Sequence, residues 1–324
     1  MKLLVTGGAG FIGSNFVRYW LRQHPEDSIM NLDALTYAGH RETIADLEAD
    51  PRHTFVAGDI CDEALVRDLV ATCDLVVHFA AETHVDRSIK SSREFVRTNV
   101  EGTRTLLDAV LVSANRPRFH HVSTDEVFGA LKPGDPAFTE RTPYDPRSPY
   151  SASKAASDHL VRAYFHTHGL PVTISNCSNN YGPYQLPEKL IPLFITNLIQ
   201  GKKIGVYGQG LQVRDWLHVD DHARGIEAII ERGALGETYC LGGGNELTNI
   251  EITKRILAGM AADESMIEYV ADRPGHDFRY AIDFSRASAE LGWKPEIGFE
   301  DGLRETIAWY KDHEPWWRAV ALTS

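Results

Sequence analysis

In the first half of this chain the hydrophobic positions fall into short unbroken runs. Between them lie polar stretches whose apolar residues recur at helical spacing. Lys2-Leu3-Leu4-Val5-Thr6 and Ser28-Ile29-Met30-Asn31-Leu32 have the length and texture of buried parallel strands. Thr54-Phe55-Val56, Leu75-Val76-Val77-His78-Phe79, residues 119–122 and Val172-Thr173-Ile174 repeat that texture. Phe16, Val17, Trp20 and Leu21 mark one helical face, and Ala64, Leu65, Leu69 and Val70 another. Residues 85–112 read as one or two helices. Regular alternation of strand and helix predicts an α/β fold, a Rossmann-type doubly wound parallel sheet with helices on both faces. Past Asn179-Asn180-Tyr181-Gly182-Pro183 the texture changes to proline and glycine punctuation with single helices between short strands. There the pattern predicts helices over residues 187–199 and 248–260, a strand over Ile204–Tyr207, and a terminal helix over residues 298–311. The expected organisation is a first domain over residues 1–175 and a smaller C-terminal α/β lobe over residues 176–324, with some later segments returning to the first sheet.

The turn after the first strand reads Gly7-Gly8-Ala9-Gly10-Phe11-Ile12-Gly13. Gly8, Gly10 and Gly13 fit G-x-G-x-x-G, and Gly7, Gly10 and Gly13 fit a G-x-x-G-x-x-G variant. Between a strand and a helix, such glycines allow a tight turn, let a pyrophosphate approach the backbone and bring helix against strand. The second strand ends at Asp33, twenty residues after Gly13. A carboxylate there accepts hydrogen bonds from an adenosine ribose and repels a 2′-phosphate. No arginine immediately follows Asp33, so the cofactor expected is NAD rather than NADP. Ligands of such sheets sit beyond the carboxyl ends of the strands. Gly7, Asp33, Asp59, the Ala81-Glu82-Thr83 stretch and Thr124-Asp125-Glu126 are therefore expected to line one crevice.

Composition narrows the partners. A chain of 324 residues can bury a large core. A net charge of −12 without a basic block argues against nucleic acid or an anionic membrane as the main partner, and no apolar run spans a bilayer. With a strand expected from residue 2, no signal peptide is expected. The cysteines, Cys61, Cys73, Cys177 and Cys240, lack C-x-x-C or metal-ligand spacing and read as reduced thiols of a cytoplasmic protein. His120-His121 and His166-x-His168 have no acidic or cysteine partner nearby to complete a ligand set, and no metal is expected.

The richest chemistry lies in Ser123-Thr124-Asp125-Glu126 and Tyr150-Ser151-Ala152-Ser153-Lys154. Tyr150 and Lys154, four apart, share one face of a helix. A phenol titrates near about 10. An ammonium about 4 Å away, at an effective dielectric of about 20, favours the phenolate by roughly 4 kcal/mol, or about three pKa units. Lys154 is thus expected to bring Tyr150 into the range of a working base for hydride transfer. Asp125 and Glu126 add an acid and a base that simple hydride transfer does not need. Two carboxyl groups in a partly dry cleft separate their pKa values, because ionising both together is unfavourable. The residues alone leave open which is the acid. Together the two constellations point to an enzyme that oxidises a substrate, eliminates something from it and reduces it again.

The glycine turn, taken with Tyr150-x-x-x-Lys154, resembles the extended short-chain dehydrogenase/reductase family. Within it the chain is similar to the dTDP-glucose 4,6-dehydratases. The resemblance lies in Asp33-Ala34-Leu35-Thr36-Tyr37-Ala38-Gly39, Ala80-Ala81-Glu82-Thr83-His84-Val85-Asp86 and Ser123-Thr124-Asp125-Glu126-Val127-Phe128-Gly129. It continues in Asn179-Asn180-Tyr181-Gly182-Pro183-Tyr184, Arg214-Asp215-Trp216-Leu217-His218-Val219 and Asp272-Arg273-Pro274-Gly275-His276-Asp277, and so covers nearly the whole chain. It implies an NAD-dependent hydro-lyase that forms dTDP-4-keto-6-deoxy-glucose from dTDP-glucose. Tyr150, helped by Thr124 and Lys154, would take the C4 hydroxyl proton, Glu126 the C5 proton, and a protonated Asp125 would donate to the departing C6 hydroxyl. The implied NAD contacts are Gly7, Gly10, Phe11, Ile12, Gly13, Asp33, Ala34, Leu35, Thr36, Asp59, Ile60, Ala80, Ala81, Thr83, Thr98, Tyr150, Lys154 and Asn180. The implied contacts of the nucleotide sugar are Thr83, Thr124, Asp125, Glu126, Tyr150, Asn179, Lys189, Leu190, Val206, Tyr207, Arg214, Asn249, Arg273 and His276. Arg214 and Arg273, planar and permanently charged, suit a diphosphate. The same resemblance implies a homodimer paired through helices of the cofactor domain. Alternatives within the fold are a 4,6-dehydratase of another nucleotide sugar, a 4-epimerase or a decarboxylase, and the acidic pair argues against the last two. Gly205 and Cys240 depart from the usual pattern, and both are expected toward the nucleotide side.

Overall fold

The computed structural model describes residues 1–272 and 277–321. The first part of the chain contains strands β1 (Lys2–Thr6), β2 (Ser28–Asp33), β3 (His53–Ala57), β4 (Leu75–His78), β5 (Arg118–Thr124) and β6 (Val172–Cys177). Helices α1 (Phe11–Gln23), α2 (Glu63–Val70), α3 (Val85–Lys90), α4 (Arg93–Phe95), α5 (Thr103–Val112) and α6 (Pro149–His168) lie among them. The rest adds β7 (Asn179–Tyr181), α7 (Leu190–Ile199), β8 (Ile204–Tyr207), β9 (Val213–His218), α8 (Val219–Arg232) and β10 (Thr238–Leu241). It closes with β11 (Glu246–Thr248), α9 (Asn249–Gly259), β12 (Ile267–Val270), α10 (Ser285–Leu291), α11 (Phe299–Asp312) and α12 (Glu314–Ala321).

Seven strands in the order β10-β6-β5-β4-β1-β2-β3 form one sheet in which every pairing is parallel. The chain steps outward from β1 to β2 and β3, then returns to place β4 on the other side of β1. Strand order therefore reverses between β1 and β4, the switch point at which such sheets open a crevice. Alternate side chains of β1 serve opposite faces. Leu3 and Val5 are buried with Phe16 and Val17 of α1 and Ile226 and Ile229 of α8. Leu4 is buried with Val66 of α2, Val110 of α5 and Val161 of α6. Cover on both faces is why these strands read as unbroken apolar runs.

The second lobe holds a three-stranded sheet, β11-β9-β7, and a two-stranded one, β12-β8. They are buried with residues of α7, α9, α11 and α12, such as Phe194, Ile256, Ile307 and Trp317. Two features differ from the sequence expectation. Residues 85–112 break into α3, α4, a wide π-type turn over Val96–Gly102, and α5. Hydrophobic spacing does not register that turn, because tertiary hydrogen bonds from Asn99 stabilise it. Nor is α11 terminal, since α12 follows and its Trp316 indole donates to Thr43 Oγ1 in the first domain at 3.3 Å. Cys240 lies buried in the seven-stranded sheet beside Asn176 of β6, and its N–H donates to Glu140 Oε1 at 2.8 Å.

Candidate active site

Close packing shapes the glycine turn. Gly7 has φ +75°, and a Cβ on it would stand 2.6 Å from the Ala80 nitrogen. A Cβ on Gly13 would stand 2.3 Å from the Gly7 carbonyl oxygen. At Gly10, the N-cap of α1, the nearest atom would lie 3.4 Å away, an ordinary contact. Gly8 faces Asn31 instead, whose Oδ1 would be 2.2 Å from an added Cβ. Gly7, Gly10 and Gly13 line a cleft of about 370 Å³ beyond the carboxyl ends of the sheet, so the G-x-x-G-x-x-G pattern is the one that faces it. Asp33, at the end of β2, accepts from the Ala9 N–H at 2.9 Å and the Leu35 N–H at 2.8 Å. Burial pushes its carboxyl up while those two bonds pull it down. Leu35 takes a φ of +51° and packs against the core instead of lining the cleft.

Farther along, Asn99 in the π-type turn clamps the loop after β4. Its Oδ1 accepts from the Glu82 N–H at 2.8 Å, and its Nδ2 donates to the Glu82 carbonyl at 3.0 Å and to Ser153 Oγ at 2.8 Å. The next residue, Thr83, receives the opposite wall, its hydroxyl 3.2 Å from that of Tyr37. Asp59 is held by the Cys61 N–H at 2.8 Å and by Arg97 at 2.6 Å.

The end of β5 and the start of α6 supply the reactive groups. A reciprocal Ser148–Ser151 capping box, with Pro149 in the first turn, starts α6. It sets Tyr150 and Lys154, both buried, toward the cleft. Thr124 ends β5 and caps the short turn Asp125–Phe128, its hydroxyl accepting from the Glu126 N–H at 3.3 Å. That hydroxyl also donates to Asp125 Oδ1 at 3.3 Å and hydrogen-bonds the Tyr150 phenol. Asp125 is 3 % exposed, and its Oδ2 has no hydrogen-bond partner among the described residues. Burial first, then the charge of Glu126, push its carboxyl well above the usual range, with Arg214 opposing. Burial and the Glu126 charge thus both favour the protonated form of Asp125, and Glu126 lines the cleft beside it.

Tyr150 departs from expectation. Burial, followed by Glu126, Cys177 and Tyr37, raises its phenol well above the usual value, and only the Thr124 bond acts the other way among the leading influences. Lys154 does not lower it as expected, because the ammonium is turned to the backbone of β5, donating to the Val122 carbonyl at 2.9 Å. Burial pulls Lys154 itself down to about 8, against the raising influence of Asp158 and Cys177.

All the residues implied for NAD except Leu35 line this one cleft, as do Thr124, Asp125, Glu126, Asn179 and Lys189. Leu190, Val206, Tyr207, Arg214 and Asn249 do not. Leu190 opens α7, and Val206 is buried in the core of the second lobe. Tyr207 and Asn249 flank the Gly208-to-Gln212 turn, through Gly210 N–H to the Tyr207 carbonyl and Asn249 N–H to the Gln212 carbonyl, both 2.9 Å. Arg214 is buried, donates to the Val213 and Asp277 carbonyls at 2.7 and 3.0 Å, and covers the Tyr280 ring at 4.3 Å. Arg273 and His276 lie outside the described residues. Cys177 and Ser178 also line the cleft. The strand-end argument reaches them once β6 is seen to run to Cys177 instead of stopping near Ile174. Glu94 and Arg97, also in the lining, carry no signal in the sequence.

A parallel sheet with a glycine turn at its switch point and a Tyr–Lys pair in the crevice defines a Rossmann-fold enzyme of nucleotide chemistry. The chain belongs to the 4,6-dehydratase family, since a family model described as GDP-mannose 4,6 dehydratase matches residues 4–306 and dTDP-glucose 4,6-dehydratases match nearly its whole length. The dTDP-glucose 4,6-dehydratase of Mycobacterium tuberculosis (strain H37Rv) is 53% identical over 99% of this chain and 96% of that protein. That of Neisseria meningitidis serogroup B is 51% identical over 98% of this chain and 96% of the relative. The crystal structure of the Streptomyces venezuelae dTDP-glucose 4,6-dehydratase, with NAD bound, matches with a TM-score of 0.95 and 51% identity, covering 99% of this chain and 100% of that one. No helix among the described residues is long and apolar enough to cross a membrane.

Proposed function

We propose that this protein is an NAD-dependent hydro-lyase that converts dTDP-glucose to dTDP-4-keto-6-deoxy-glucose. The observation that carries the proposal is one cleft in which a phenol and an ammonium meet a buried carboxyl, Asp125, whose burial favours its protonated form, and a second carboxyl, Glu126, beside it. NAD suits the glycine turn, where a side chain at Gly7 or Gly13 would block close approach. It also suits Asp33, whose two oxygens each keep a lone pair for ribose hydroxyls. Bound there, NAD would accept hydride from C4 of the hexose, return it to C6 and add positive charge to the cleft.

The residues then divide the proton transfers. Tyr150, hydrogen-bonded to Thr124, takes the C4 hydroxyl proton, and that bond, with the positive charge the cofactor would bring, favours the phenolate needed for this. The C4 ketone acidifies the C5 proton, which Glu126 removes. Asp125 gives its proton to the C6 hydroxyl and water departs. Glu126 returns a proton to C5 once C6 has been reduced. The proton gained by Tyr150 balances the one lost by Asp125, so the net change is loss of one water.

Residues 1–175 hold NAD, and residues 176–324 mainly receive the nucleotide, through Lys189, Leu190, Val206, Tyr207, Arg214 and Asn249. Two copies pair through helices of the cofactor domain, a reading supported by the exposed Ile89, Val96 and Val112 around α3, the π-type turn and α5. The four cysteines, all free, are consistent with a cytoplasmic setting. In deuterated water the purified protein is expected to turn dTDP-glucose into product labelled at C5, with no build-up of NADH and no added reductant. Product that carries no solvent-derived label at C5, read by mass and NMR, overturns the elimination step.

A further inference from the structure

Tyr150, Lys154 and Asp158 follow one another at four-residue steps along α6, and the third has no part in the chemistry above. Asp158 is fully buried and does not line the cleft. Its Oδ1 lies 3.2 Å from Nε2 of His121, and that nitrogen lies 3.4 Å from Nζ of Lys154. Its Oδ2 accepts from the Ser123 hydroxyl at 2.9 Å, the Tyr144 hydroxyl at 2.8 Å and the Asn176 amide at 3.4 Å. The same amide donates to the Thr124 carbonyl at 3.1 Å, so Asp158 also braces the end of β5 where the reactive residues begin. Beyond Tyr144, the nearest charge is Arg162, which donates to the Tyr144 oxygen at 3.2 Å.

A buried ammonium without a counter-charge gives up its proton. The titratable groups around Lys154 are His121 on β5, His78 on β4, Cys177 on β6, and Tyr150 and Asp158 on its own helix. Burial pushes the Cys177 thiol to about 12, so it carries no charge near neutral pH. Burial and Lys154 pull the His121 imidazole down to about 4, so it too is neutral. His78 is buried and likewise held in its neutral form. Asp158 is held below the usual carboxylate range by His121, Lys154 and the Ser123 hydroxyl, against its own burial. Nδ1 of His121 and Oδ1 of Asp158 both lack a hydrogen-bond partner among the described residues, so the imidazole separates the two groups without neutralising the Asp158 charge.

We propose that Asp158 is the internal counter-ion of Lys154, acting across a neutral His121, and is thereby a positioning residue that keeps the ammonium charged at the end of β5. The catalytic consequence rests on the function proposed above, but the charge pairing does not, so the test reads both. The 13Cε resonance of Lys154, assigned by its loss in Lys154→Arg, is titrated in the NAD-loaded protein without any turnover. Asp158→Asn is expected to lower the Lys154 midpoint by roughly one pH unit or more. Asp158→Ser repeats the measurement should the first variant fail to fold, and Asp158→Glu, which keeps the charge, should hold the midpoint near its original value. His121→Gln, uncharged like the residue it replaces, should also leave the midpoint in place.

In turnover, the alkaline limb of kcat/KM should move to lower pH in Asp158→Asn, whereas a merely structural loss lowers kcat and leaves the limb unmoved. A Lys154 midpoint that stays put in the neutral Asp158 variants, or falls as far in His121→Gln, overturns the assignment. If dTDP-glucose proved not to be the substrate, the titration would still decide the pairing, so the two failures are distinguishable.

Discussion

At the scale of single residues, Asp125 and Glu126 are neighbours in the chain but not in environment. Both line the cleft, but Asp125 is 3 % exposed, with one oxygen lacking a partner among the described residues, while Glu126 is only half-buried. An acid whose folded pKa is raised stabilises the fold in its protonated form. Its contribution is complete below the ordinary carboxylate range and is lost as pH rises through the raised value. Asp125→Asn, which mimics the protonated group, is therefore expected to melt like the parent in acid and above it in alkali. The advantage should grow to about 1–3 kcal/mol, and thermal scans from about pH 5 to about pH 9 check it. Water elimination by that variant should fall by about 100-fold or more, since the proton donor is gone. Which of the two adjacent carboxyls is the drier was not legible in two letters, because tertiary packing sets it. The Tyr150–Lys154 spacing was legible, but the direction in which the ammonium points was not. Its hydrogen bond to the Val122 carbonyl depends on where β5 passes α6.

At the scale of elements, the glycine turn joins β1 to α1 with almost no tolerance. Gly13→Ala would drive a methyl to 2.3 Å from the Gly7 carbonyl oxygen and push the helix off the strand. The expected result is a loss of about 1–3 kcal/mol in stability and about tenfold or more in NAD affinity. Urea titration and calorimetric binding measure each. A variant that binds NAD as the parent does would remove the turn from the cofactor site. The spacing of these glycines marks the turn in sequence, but two overlapping patterns fit it, and only the contact of Gly8 with Asn31 separates them. The π-type turn between α4 and α5 was not legible. Asn99 holds it through Glu82 and Ser153, residues that adjoin it only in space.

At the scale of the whole molecule, the cleft depends on both lobes. β10, late in the chain, adds a strand to the first sheet, and α12 packs back through Trp316 onto Thr43. The charge of Arg214, rooted in β9, reaches Asp125 from the second lobe. On the outside, Ile89, Val96 and Val112 are 61, 48 and 67 % exposed, and the proposed pairing of two copies would cover them. Val112→Lys is expected to leave the monomer folded, within about 0.5 kcal/mol, and to halve the mass seen by light scattering. A parent mass of a single chain overturns the proposed pairing, and a dimer mass unchanged in the variant would move it to another face.

What the linear chain determined by itself was everything written in local periodicity: apolar strand runs, the strand–glycine–helix turn, the spacing of Asp33 from Gly13, and Tyr150 one helical turn before Lys154. These need only neighbours a few residues away. The tertiary structure alone decided which groups are dry, which carboxyl is the more deeply buried, how the Lys154 ammonium is held, and that Asp158 lies behind it. Each of those depends on desolvation and on partners brought from distant strands, and no stretch of sequence contains its own surroundings.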